Sequence, residues 1–181
     1  MTQDQAETVG PAPGPAPDRA VLDFLFARRS CPAKTLTTPV PDRAALARLL
    51  TAAARVPDHG KLEPWRFVVL EKAALTRLAT LAEARGAALG IAPEKRAKSV
   101  AQYAEAELAV AVIGAPKASE TIPPLEQVLS AGAVCLSLVN TALAAGWGAN
   151  WLTGWAAHDR PFVEDGLGLA PEEFVAGMIH I

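Results

Sequence analysis

The stretch from Leu125 to about Ala145 reads as one long helix that is apolar nearly all the way round, and few soluble chains can house such an element. Val128, Leu129, Val134, Cys135, Leu136, Leu138, Val139 and Leu143 fall on every side of it. About 20 apolar residues are enough to cross a bilayer. Against that reading, Glu126, Gln127, Ser130, Ser137, Asn140 and Thr141 interrupt the run, and no Lys or Arg flanks either end to set an orientation. A helix apolar on all faces is otherwise a buried one. A chain of 181 residues has difficulty covering it completely, so part of it is expected to face a second subunit. A charge at a position such as Val139 would then break a dimer, provided that position faces the partner.

The surroundings of this helix alternate between helical and extended patterns. Asp18 is a good N-cap for a helix running to about Arg29, with Val21, Leu22, Leu25 and Phe26 on one face. Pro41-Asp42 opens a second helix with Leu46, Leu49, Leu50 and Ala53 as its stripe. Val56 to Gly60 is a loop, and Arg66 to Leu70 a buried strand. Helix is expected from Ala73 to Leu89, and in pieces from Pro93 to Ala106. Leu108 to Ile113 is a continuous apolar run of the kind buried on both faces. Strands at 148–152 and 175–181 enclose a short helix at 160–167. The fold class is therefore α+β: helices packed on a sheet, with the long helix at the centre. Residues 18–181 are expected to form a single domain. The preceding Pro/Ala/Gly-rich residues 1–17 have little to bury and read as a disordered tail.

Charge and cysteines exclude several classes. A net charge of -2 and a pI near 5.9 leave no footprint for nucleic acid. Cys31 and Cys135 sit in no metal-ligand spacing. Two free thiols and the lack of a signal-peptide pattern at the N-terminus point to the cytoplasm, with no membrane partner. Neither GxGxxG after a strand nor GxxxxGK[ST] is present, so there is no dinucleotide or P-loop fingerprint.

Three clusters could carry chemistry. Arg28-Arg29-Ser30 closes the first helix, where guanidinium forks can hold phosphate or merely complement the helix dipole. Arg55-Val56-Pro57-Asp58-His59, followed by Pro64-Trp65, places a cation and an imidazole on a proline-fixed loop, or is an ordinary helix-to-strand connection. Gly146 to Gly154 offers a backbone that a heterocycle edge can approach closely, or is a strand bounded by glycine turns.

Taken together, and with Glu126-Gln127 and Ser130-Ala131-Gly132 in the long helix, these motifs resemble the nitroreductase family of FMN-dependent oxidoreductases, in particular its short, minimal branch. The resemblance extends from about residue 21 to 181. It implies a sheet rich in antiparallel pairs flanked by helices, and a homodimer with shared active sites. It also implies that Arg28, Arg29 and Ser30 hold the FMN phosphate and ribityl chain, that Trp151, Leu152 and Thr153 line the isoalloxazine, and that Arg55 and His59 approach from the other subunit. In this family the flavin N5 carries hydride from NAD(P)H to a second small molecule, such as a nitroaromatic or quinone. The cofactor supplies the chemistry, so no catalytic acid, base or nucleophile and no metal is expected. Two departures stand out. Relatives commonly carry Lys or Arg where this chain has Leu152, and an Arg soon after Arg-Arg-Ser where it has Cys31-Pro32-Ala33-Lys34. The first departure leaves a flavin-binding or storage protein without turnover as the alternative. Relatives also continue past the strand that ends here at Ile181, so a C-terminal extension is expected to be missing.

Overall fold

The computed structural model of the chain describes residues 16–181; most of the expected tail lies outside the described residues. Among the described residues, six α-helices pack around one four-stranded sheet. They are α1 (Arg19–Ala27), α2 (Arg43–Ala53), α3 (Lys72–Ala88), α4 (Pro93–Ala104), α5 (Pro124–Ala144) and α6 (Arg160–Leu167). The strands are β1 (Trp65–Glu71), β2 (Leu108–Gly114), β3 (Asn150–Leu152) and β4 (Phe174–His180). The spatial order is β1-β2-β4-β3, and every pairing is antiparallel.

All seven residues of β2 are buried, as its unbroken apolar run predicts. The strand has no solvated face because helices cover the sheet on both sides. Ala109, Ala111 and Ile113 join Leu75, Leu78, Phe162 and Met178 in a core beneath α3, α4 and α6. Leu108, Val110 and Val112 join Leu46, Leu49, Val134, Leu138 and Ile179 in a second core beneath α2 and α5. Opposite β2, a bulge at Val112/Ile113 places one extra residue, Ala176, in β4.

The long helix is divided lengthwise. Gln127, Ser130, Ala131, Val134, Cys135, Leu138, Val139 and Ala142 recur at helical spacing and pack inward. Val139 is only 2% exposed, so it faces the protein's own core and not a second subunit. The opposite side, Leu125, Val128, Leu129 and Leu136, is exposed by 42 to 66%. The first helix differs more from expectation. It stops at Ala27, and its apolar face of Val21, Leu22, Leu25 and Phe26 buries no residue among the described ones, with Phe26 78% exposed. The segment from Pro93 forms one continuous helix. Arg96 pairs with Glu83 of α3 at 2.9 Å, and the Lys72 ammonium donates to the carbonyls of Ala104, the last residue of α4, and Ala106 just beyond.

Candidate functional site

Asp18 caps α1, its carboxylate accepting from the Val21 N–H. At the other end, the two arginines do different things. Arg29 Nη1 donates to the carbonyls of Phe26 and Arg28, at 3.3 and 2.7 Å, and so satisfies groups left open by the helix end. Arg28 reaches Ser30 Oγ at 3.5 Å, and its Nε is buried with no partner among the described residues. Arg28 and Ser30 thus keep donors for an anion, while Arg29 takes the dipole-complementing role.

The third motif starts where α5 stops. Gly146 adopts φ 85°, and the N–H groups of Gly146 and Trp147 bond back to the carbonyls of Leu143 and Ala142. This Schellman pattern needs a residue that tolerates left-handed backbone, and glycine does. It turns the chain into β3, which starts at Asn150, two residues later than the sequence pattern suggests. Among the described residues the strand is an edge that pairs only with β4, which leaves one side of its backbone able to bond a planar ligand. Its side chains alternate. Trp151 lies over Gly177, where a Cβ would collide with the indole, and stays 39% exposed. Leu152 turns to the other face and lines a cavity of about 300 Å³ with Lys34, Lys98, Gln102 and His180. Thr153 lies exposed just past the strand.

Two hydrogen bonds knit the first and third motifs together. The Cys31 N–H donates to the Ala149 carbonyl at 2.9 Å, and the Asn150 side-chain amide donates to the Cys31 carbonyl at 2.6 Å. Arg28–Ser30 and β3 therefore occupy one neighbourhood.

The second motif goes elsewhere. Arg55 is exposed beyond the end of α2. His59 Nδ1 sits 2.6 Å from Glu126 Oε2, and Ser130 Oγ donates to the Pro57 carbonyl, so the loop is fastened to the first turns of α5. Asp58 accepts from the Glu63 N–H at 2.8 Å. Lys61 and Glu63 both hold positive φ, 54° and 48°, which is uncommon for residues with side chains and stores strain in this loop. Among the described residues, no hydrogen bond links this loop to Arg28–Ser30 or to β3.

Some participants carry no motif. Asn150 stands inside the glycine-bounded stretch, but only its contact with Cys31 reveals its role. His180 is an isolated histidine in an apolar strand. It is 1% exposed, and burial holds its imidazole down at about 4. Gln102 Nε2 lies 3.4 Å from His180 Nε2. A cavity of about 660 Å³ lies between α2 and the Glu71 end of β1, and no predicted site residue lines it.

The profile of the nitroreductase family matches residues 25–181. The chain belongs to the nitroreductase family. A candidate NAD(P)H nitroreductase of Haemophilus influenzae is 37% identical over 164 residues, covering 88% of this chain and 86% of that one. The candidate NAD(P)H nitroreductase YdjA of Escherichia coli is 29% identical over 160 residues with the same coverage. The fold also matches a crystal structure of a nitroreductase with bound FMN from Bacteroides fragilis. Its TM-score is 0.70 at 20% identity, with 90% of this chain and 87% of that one covered. The antiparallel sheet and central helix expected of this nitroreductase are those observed.

Proposed function

We propose that this nitroreductase is an FMN-dependent enzyme that passes reducing equivalents from NAD(P)H to a small acceptor such as a nitroaromatic or a quinone. The observation that carries this reading is the Cys31–Asn150 contact, which sets the anion donors of Arg28 and Ser30 beside the free edge of β3. The residues fit the cofactor: the orphaned Arg28 Nε is a buried donor that a phosphate oxygen would satisfy. FMN, when bound, supplies the hydride chemistry. Arg28 and Ser30 would take its phosphate and ribityl chain. Arg29 would hold the end of α1 in shape. The backbone of Trp151, Leu152 and Thr153 would orient the ring edge, and the Trp151 indole would exclude water from one side. No side chain is assigned as acid or base.

The same reading makes the active unit a homodimer of residues 18–181, working in the cytoplasm. Two apolar faces, on α1 and on the outer side of α5, are exposed in the protomer, more than a lone soluble chain ordinarily leaves uncovered. A two-fold pairing would bury both. It would also bring Arg55 and His59 of the partner subunit to each site, a role suited to a loop fastened on α5 away from its own Arg28. That pairing supplies what the protomer lacks.

The test is direct. The purified protein should show an oxidised-flavin spectrum, release FMN on denaturation, and oxidise NAD(P)H when a nitroarene or quinone is added. Arg28→Ala should weaken FMN binding by about tenfold or more, the loss of a charge-assisted contact. A colourless protein with no affinity for FMN refutes the reading. A yellow protein without turnover would make it a flavin carrier.

A further inference from the structure

The cavity between α4 and the β3–β4 edge shares only Leu152 with the residues proposed for FMN, and it has chemistry of its own. Lys34 and Lys98 line it, and neither lysine forms an ion pair among the described residues. Glu105 is the one carboxylate in its lining. His180 lies in the wall, fully buried, with Nδ1 unpartnered. Gln102 Nε2 lies 3.4 Å from its Nε2. Alanines and Leu152 form the rest of the wall.

We propose that this cavity binds a small monoanionic organic acid, its carboxylate taken by Lys34 and Lys98 and its apolar body lying against Leu152. Two ammonium groups, one carboxylate and a neutral imidazole sum to a single positive charge, which a monoanion balances and a phosphate dianion overshoots. The volume, about 300 Å³, admits an aromatic acid with room for water. Because the cavity abuts Leu152, an acid held there lies next to the segment proposed to line the flavin. Binding itself does not depend on the FMN assignment.

The experiment is calorimetric titration of the purified protein, with whatever flavin it carries, using benzoate and its neutral counterpart benzyl alcohol. Benzoate should bind at least about tenfold more tightly, since hydrogen bonds to charged groups carry that much selectivity. Lys98→Ala should weaken benzoate by about tenfold and leave flavin content and visible spectrum unchanged, while Lys98→Arg should retain binding. Equal affinity for the two probes, no binding of either, or indifference of benzoate to both Lys98→Ala and Lys34→Ala overturns the proposal. Release of flavin in proportion to bound benzoate also overturns it, because the cavity would then be part of the flavin site. A protein that never carries flavin yet binds benzoate through Lys98 would sink the proposed function and leave this site standing.

Discussion

The side-chain amide of Asn150 donates to the backbone carbonyl of Cys31 at 2.6 Å across 119 residues of chain. That bond ties the turn after α1 to the first residue of β3. Asn150→Ala removes the donor and leaves a half-buried carbonyl unsatisfied. It should cost about 1–2 kcal/mol of stability by urea unfolding. FMN affinity should fall at the same time, because Arg28 and Ser30 are no longer held against β3. A variant with reduced stability and undiminished FMN affinity would show that the contact serves the fold alone.

Leu152 stands where nitroreductases commonly have a cation. Leu152→Lys should stabilise negative charge on the reduced cofactor and raise its midpoint potential by on the order of 30 mV, a tenfold shift for a two-electron couple. Potentiometric titration of both proteins decides it. Lys34 and Lys98 already line the cavity that receives this side chain, so the increment should shrink as salt is added. An unchanged or lower potential would mean that the residue at 152 does not face the flavin.

Leu129 and Phe26 are 63% and 78% exposed and belong to the two uncovered apolar faces. Leu129→Glu and Phe26→Glu should leave the protomer folded, yet weaken self-association at least about thirtyfold if these faces meet a second copy. Light scattering and circular dichroism read the two effects separately. Val139→Asp should behave differently: it places a charge within the core under α5 and should unfold the protomer. A wild-type monomer holding stoichiometric FMN at micromolar concentration would exclude the shared site.

His180 gives a pH signature. Its folded pKa, about 4, is lowered from 6.5 by burial, so between those values the unfolded chain binds more protons. Stability should therefore rise with pH through this window and fall on acidification from 6.5 towards 4, by up to about 3 kcal/mol. The charged neighbours in the same cavity are Lys34, Lys98 and Glu105. Glu173 is held down at about 2 chiefly by its hydrogen bonds to Arg66, so its contribution is lost only below about 4.5. His180→Gln should flatten the profile between pH 5 and 7. Retention of the full slope in that variant would assign it to other groups.

How much of this was legible in the sequence depends on how local the signal is. The unbroken run of β2, the proline and aspartate at the start of α2, and the glycines around β3 each act within a few residues, and their elements were readable. The family pattern named Arg28, Ser30, Arg55 and His59 in order. Other features are long-range. Nothing in the sequence separates Arg28 from Arg29, because their division of labour depends on which carbonyls the last turn of α1 presents. The inward side of α5 is not marked either, since a helix apolar all round has no distinct face; the condition set for Val139, that it face a second subunit, is not met because it packs inward. The lone His180 gave no hint that Gln102, from a helix seventy-odd positions earlier, would reach its ring.

The first six residues of β2, Leu108 to Ile113, alternate between the two cores on either side of the sheet. The strand is thus a party wall between two rooms. Substitutions in the α3–α6 layer and in the α2–α5 layer should accumulate nearly independently, since pairs that share no contacts tend to add. The proposed flavin site draws on the end of α1 and the free edge of β3. Changes confined to one layer should therefore leave the packing of the other intact, and only changes within β2 itself are answerable to both.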